Sequence, residues 1–374
     1  MRFPEFTEEW ETKKLGEISS VSSGGTPSRA NPLYWDGDIP WISTTLIDFN
    51  LIEKSEEYIT QEGLENSSAK LFPIGTLLMA MYGQGKTRGK VAILNIEATT
   101  NQACGAIITN EEVLNSFFAF QNLVKRYDEI RDLSNQGSQE NLSGGIIKGI
   151  KITFPKLSEQ IKITSFLSLI DERIQTQNKI IEQLETLIKG LSEKLFSQEI
   201  RFKEFTDKWE LKKLGDISTI TTGSSNREDS MLNGEYTFFD RSQDIRTSSR
   251  CLFDKEAVIV PGEGQEFIPK YFIGKFDLHQ RTYAIFDFRG IYGKYLYYHL
   301  LNDDKYLQSQ AVGSTVKSLR LPMFQSMPIK SPCLDEQTTI ANFLSVIETK
   351  IQTEKNILDK YHSQKQYLLQ NLFI

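Results

Sequence analysis

RFPEFTEEWETKKLGEIS, from Arg2 to Ser19, returns as RFKEFTDKWELKKLGDIS, from Arg201 to Ser218, with thirteen of eighteen positions identical at an offset of 199. A second pair follows at an offset of 177: ITFPKLSEQ (Ile152 to Gln160) is answered by IKSPCLDEQ (Ile329 to Gln337). Gly137-Ser138 and Gly313-Ser314 form a weaker pair upstream. Self-similarity at a fixed spacing is the first organising signal to read in a chain. Here it gives two copies of one unit, about 1–199 and 200–374, whose matching ends bracket dissimilar middles at 20–136 and 219–312. A kept frame around divergent inserts is what one scaffold needs to present two different reading surfaces. An old duplication whose loops drifted leaves the same pattern.

Each copy ends in a helical pattern. Pro155 forbids an earlier start for the first, and Ser158 reads as its N-cap, with Glu159 and Gln160 in the first turn. Ile163, Leu167, Ile170, Ile174, Gln177, Ile181, Leu184, Ile188, Leu191 and Leu195 then recur at alternating spacings of four and three, a heptad seam with one polar break. Gly190 costs this helix roughly 1 kcal/mol without ending it. The second copy gives Ile340, Leu344, Ile347, Ile351, Glu354, Leu358, Tyr361, Lys365, Leu368 and Leu372, with its break at the same ordinal place. Neither helix hides such a seam alone. Antiparallel pairing of the two would bring Gln177 and Glu354 together and fix the register; packing of each helix on its own domain is the competing arrangement. Phe196 lies shortly before Arg201-Phe202, and Phe373 stands in the same relation to Arg2-Phe3 if the termini are neighbours. The expected architecture is therefore a pseudo-two-fold α/β protein. Two mixed α/β domains, 1–155 and 200–331, are joined by two long antiparallel helices, 156–199 and 332–374.

Composition narrows the class. A 374-residue chain with 39% hydrophobic and 25% charged residues is globular and long enough for more than one domain. No apolar run reaches membrane-span length, and the start MRFPEFTEEW reads as no secretory signal, which points to the cytoplasm. Cys104, Cys251 and Cys333, like His279, His299 and His362, are scattered, so neither a disulfide framework nor a metal site is read. The net charge is −6, and residues 200–331 carry a net +2. Binding to nucleic acid then requires local contacts or a partner that supplies part of the phosphate neutralisation.

The middles read as small α/β modules. Strands are expected at 76–82, 90–94, 151–154, 257–260 and 283–288, and helices at 112–128 and 292–302. Two near-motifs fail on inspection. The stretch from Ala80 to Thr87 lacks the first glycine of a phosphate-binding P-loop and leads into a strand. Asn31-Pro32-Leu33-Tyr34 lacks both the second proline and the upstream cofactor fingerprint of an amino-methyltransferase, and reads as a turn. No catalytic constellation stands out. What remains are small basic turns: Lys86, Arg88 and Lys90 among Gly83, Gly85 and Gly89, with Asn101-Gln102 placed to bond adenine edges. The second copy offers Lys270, Lys275 and His279-Gln280-Arg281, with Tyr271 and Phe272 read as core. A solvated hairpin is the plain alternative for each turn.

With these residues in view, the chain resembles the specificity subunit of type I restriction–modification systems. The resemblance runs through Gly24-Gly25-Thr26-Pro27-Ser28, Tyr34-Trp35-Asp36-Gly37-Asp38-Ile39-Pro40-Trp41-Ile42-Ser43, Gly89-Lys90-Val91-Ala92-Ile93, Asn101-Gln102 and both helix entries. It implies two target recognition domains, each reading half of an asymmetric bipartite site in double-stranded DNA. It also implies helices that act as spacer and as docking surface for two modification subunits. Those partners would carry S-adenosylmethionine for adenine N6 methylation, and restriction subunits would add ATP- and Mg-dependent translocation and cleavage. The chain itself would bind no cofactor and catalyse nothing. A stand-alone DNA-binding adaptor or regulator, and a coiled-coil interaction scaffold, are the other readings.

Overall fold

The structure is a computed structural model that describes residues 2–83, 86–133 and 141–373. Gly137-Ser138, Gln84 and Gly85 lie outside the described residues. The chain divides into two compact units, residues 1–176 with 358–374, and residues 177–357. The division falls within both long helices, Leu157–Phe196 and Leu334–Leu372, so each unit holds a part of each.

The first unit is built on a five-stranded sheet in the order Ser19–Ser23, Cys104–Thr109, Leu77–Ala80, Val91–Leu94, Leu51–Ile52. A three-stranded sheet, Glu57–Ile59, Trp35–Ile42, Thr99–Thr100, stands beside it. The near-continuous apolar strands Leu77–Ala80 and Val91–Leu94 are buried on both faces, as their composition requires. On one face Phe118, Leu123, Ile163, Leu167, Leu368 and Phe373 share a core with Leu77 and Ile93. Ile42, Ile52, Leu78 and Ala92 fill the other. The second unit has one seven-stranded sheet, in the order Thr219–Thr222, Thr282–Phe286, Phe253–Pro261, Lys270–Leu278, Tyr236–Phe239, Arg246–Ser248, Ser230–Met231. Its larger core gathers Phe196, Val258, Ile285, Tyr295, Leu296, Ile340 and Leu344.

The repeated sequence stretches are two halves of one clasp. Glu11–Lys14 pairs antiparallel with Lys151–Phe154, and Glu210–Lys213 with Pro328–Ser331. Arg2 donates to both carboxylate oxygens of Glu159 at 2.8 and 2.7 Å, and Arg201 to those of Glu336 at 2.7 Å each. Both carboxylates are buried, Glu159 at 2% exposure and Glu336 at 0%, so a charged bidentate partner is what makes their burial tolerable. Gln160 accepts from Asn115 N and donates to the carbonyls of Val113 and Pro155; Gln337 accepts from Tyr292 N and donates to the carbonyls of Gly290 and Pro332. Each glutamine thus ties a long helix to the start of a shorter one, Ser116–Lys125 or Gly293–Asn302. These two short helices sit at the same 177 offset, a correspondence their side chains do not advertise. Phe118 packs on Trp10 and Phe373 in the first unit, and Tyr295 on Trp209 and Phe196 in the second.

All twenty seam positions are buried or half-buried. In the first unit the last turns of the second long helix lie against the first turns of the first long helix, with Leu368 and Leu372 in the core of Ile163, Leu167 and Ile170, and Lys365 bonded to Asp171 at 2.6 Å. That ion pair explains how the seam accommodates a lysine. In the second unit Gln177 donates to the Glu354 carboxylate at 2.5 Å and to its carbonyl at 3.2 Å. Lys350 first, then Gln177, hold the Glu354 carboxyl below its usual range. Both helix contacts run antiparallel.

Three local expectations need correction. The first long helix starts at Leu157, and the carbonyl of Lys156 accepts from Glu159 N and Gln160 N, so Ser158 lies inside the first turn rather than capping it. The single helix expected at 112–128 is two, Ser116–Lys125 and Tyr127–Asp132, because Asn115 caps the first through its side chain and the chain breaks at Arg126. The expected strand at 76–82 is shorter, Leu77–Ala80.

Candidate nucleic-acid interface

The register of the first sheet decides which loops lie together. Ala80 pairs with Cys104 on one side and bonds the Lys90 carbonyl on the other, Ser23 faces Gly105, and Phe49 N bonds Val91 O. One end of the sheet therefore carries the Gly24–Ser28 loop, Asp48-Phe49, the Lys86–Lys90 turn and Asn101–Ala103. The structure thus joins the two candidate patches of this unit.

Their side chains are used differently. Lys86 is exposed, and its carbonyl accepts from Tyr127 Oη at 2.5 Å. Arg88 is buried, at 7% exposure, because the turn folds back: Gly89 N bonds Ala80 O, and Gly89 has Arg131 beside it. Lys90 bonds Asp48 at 2.5 Å and lies over Phe49. Asn101 spends its side-chain oxygen on Ala103 N at 3.0 Å and Cys104 Sγ at 3.2 Å, so it holds the turn. Gln102 is exposed and accepts from Thr26 Oγ1 at 2.5 Å. Three residues on, Arg29 forks onto Glu57 at 2.5 and 2.9 Å and stacks 3.6 Å over the Trp35 ring. Glu57, hydrogen-bonded to that guanidinium, has its carboxyl held below the usual range. Sequence reasoning passed over Arg29; its signal was an arginine shortly before two tryptophans.

In the second unit Lys270 donates to Ser242 O at 2.5 Å, and burial lowers its ammonium pKa. Lys275 is exposed in mid-strand. Gln280 is exposed and donates to Asn226 Oδ1 at 2.6 Å, and Arg281 pairs with Glu263. Gln280 and Arg281 line a hollow of about 230 Å³ with Arg227, Asp240, Arg241, Glu263 and His279. Lys270 and Lys275 are not among its lining residues. Arg227 and Arg241 join the candidate set here; they stand well before Gln280 and Arg281 in sequence, and the fold gathers them. Tyr271, bonded to Glu256 at 2.7 Å, and Phe272, packed on Phe239, are part of the structure, as expected.

The two surfaces are built on one backbone device. Asn101 N bonds Ile42 O and His279 N bonds Phe239 O; Met81 N bonds Ala103 O and Gly262 N bonds Arg281 O; Gly25 N bonds Thr100 O and Ser225 N bonds Leu278 O. In each turn the first side chain accepts from the third backbone N–H, Asn101 Oδ1 from Ala103 and His279 Nδ1 from Arg281. Gly24 and Gly223 pack so closely beneath that an added Cβ would fall 2.1 Å from Thr100 O and 1.7 Å from Leu278 O.

Comparison with known proteins places the chain. The model of the type I restriction modification DNA specificity domain matches residues 7–186 and 206–360. The chain belongs to that family. It is 31% identical over 233 residues to the MjaIX specificity subunit of Methanocaldococcus jannaschii, a match covering 58% of this chain and 53% of that one. It is 21% identical to the MjaVIII specificity subunit of the same organism, over 97% of this chain and 91% of that one. The crystal structure of a type I restriction–modification S subunit from M. genitalium superposes with a TM-score of 0.66 at 17% identity, over 100% of this chain and 99% of that one. That likeness establishes the fold. Among the described residues no helix is long and apolar enough to cross a membrane, and no group of three or more His, Cys, Asp or Glu is placed to hold a metal.

Proposed function

We propose that this chain is the DNA-reading specificity subunit of a type I restriction–modification complex, with each unit reading one half of an asymmetric bipartite site. The observation that carries this reading is the shared turn device. Two surfaces with one backbone frame and different side chains are what two half-sites of different sequence demand. Lys86 and Lys275 are assigned to phosphates, which position a protein without specifying sequence. Lys90 and Arg281 join them when DNA displaces their carboxylate partners. The long helices present Ile161, Leu169, Leu187 and Val346 to solvent, an apolar surface suited to two modification subunits. The chain is non-catalytic in this reading. S-adenosylmethionine belongs to the modification subunits, ATP and Mg to restriction subunits, and the complex works in the cytoplasm. The test is to map methylated adenines in the host genome with and without this gene. A bipartite methylated motif that vanishes with the gene supports the reading, and an unchanged methylation map rejects it.

A further inference from the structure

The turns at 101–103 and 279–281 share three anchoring backbone bonds and a bond from the first side chain to the third N–H, yet their outer residues differ. Asn stands against His at the first position and Ala against Arg at the third, while the middle residue is glutamine in both. The first side chain of each turn is committed to the turn itself, by its bond to the third backbone N–H. The middle side chain is exposed at the apex and is steadied by one hydrogen bond with the loop that follows Gly24 or Gly223. For Gln102 the partner is Thr26 Oγ1 at 2.5 Å, and for Gln280 it is Asn226 Oδ1 at 2.6 Å.

A carboxamide carries a donor and an acceptor side by side, which matches the N6 amino group and N7 of adenine in the major groove. The apex is also rigid. Its neighbours are pinned by backbone bonds to two strand ends and a loop, so little side-chain or loop entropy is lost when a base is engaged. Phosphate contact is a poorer use of an uncharged amide where the first unit already offers Lys86 and the second Arg241 and Arg281.

We infer that Gln102 and Gln280 are the matched base-reading positions of the two units, each reading one adenine edge in its own half-site. The inference rests on the DNA-reading function proposed above. Ala103 and Arg281 then distinguish the two turns: the second sets a phosphate-directed guanidinium beside its glutamine, and the first sets none.

The test uses the full chain in complex with its modification subunits. A DNA library with both half-sites randomised is selected by binding, in parallel for wild type, Gln102→Ala, Gln102→Glu, Gln280→Ala and Gln280→Glu. Both glutamines are exposed, and thermal melting of each variant confirms that it folds. Each alanine variant is expected to relax one position by about ten- to a hundredfold, in one half-site for Gln102 and in the other for Gln280. Each glutamate variant, now acceptor only, is expected to shift that position from adenine towards cytosine, whose N4 amino group donates. Uniform weakening with every base preference kept would overturn the inference, as would relaxation of the same half-site by both residues or no change at all. A wild-type complex that selects no bipartite site defeats the DNA-reading function itself, an outcome distinct from these.

Discussion

The helix entries and the turns at 101–103 and 279–281 hold equally regular bonds, yet the entries are much the more alike in sequence. At the entries the bonds are made by side chains: Arg2 and Arg201 fork onto Glu159 and Glu336, and Gln160 and Gln337 each bridge two backbone segments. These bonds depend on the side-chain groups themselves, so the identities recur. At the turns the bonds that anchor them to the sheet run between backbone groups, from Asn101 N and His279 N to Ile42 O and Phe239 O. A backbone bond tolerates almost any side chain, so the frame persists while the letters change. That is also the physical condition for a reader, whose surface must vary while its scaffold does not.

The clasp offers the largest effect with which to break this comparison. Glu159→Ala and Glu336→Ala each remove a buried bidentate pair, with an expected loss of about 2–3 kcal/mol in chemical denaturation. The loss should be greater for Glu336, which also accepts from Trp209 Nε1 at 3.2 Å. Neutral behaviour of both variants would mean that the recurring residues are not what holds the ends together.

A second difference separates the units by pH. Burial first, and Lys330 next, push the His299 imidazole down from 6.5 to about 4, and Asn122 stands at the matching place in the first unit. The folded unit keeps His299 neutral, so the unfolded chain takes up a proton first as pH falls. This contribution is complete above about 6.5 and is lost as pH drops towards 4, up to about 3 kcal/mol. Hydrogen exchange should show the second unit loosening through that window, and His299→Gln should flatten the response. An unaltered pH profile in the variant contradicts the assignment.

The smallest effect concerns two tryptophans. Trp209 donates to Glu336, while the buried Trp10 Nε1 has no hydrogen-bond partner among the described residues. Trp209→Phe is therefore expected to cost about 1 kcal/mol more than Trp10→Phe in matched unfolding experiments. Equal costs would show that the extra bond adds nothing.

Much of the fold was legible in the sequence. The seam periodicity named the positions that are covered, and it foresaw the meeting of Gln177 with Glu354. The repeated ends marked the clasp, though not that its two parts bond to each other across about 135 to 157 residues. The short helices Ser116–Lys125 and Gly293–Asn302 were found singly but not related, since Phe118 and Tyr295 fill the same place with different groups. Lys86, Gln102 and Gln280 were legible as exposed polar residues in turns. Arg88 was misleading, because a cation beside a glycine looks solvated until its turn folds onto a helix. Arg227 and Arg241 were silent because a long-range cleft has no local pattern.

The central claim is that one frame carries two independent readers. Replacing residues 20–136 with the matching stretch of a relative, leaving the clasp residues and both long helices intact, and then mapping methylated adenines in cells tests it most directly. The account predicts that one half of the bipartite motif changes and the other half stays as it was. A motif in which both halves change together, produced by a well-folded chimera, contradicts it.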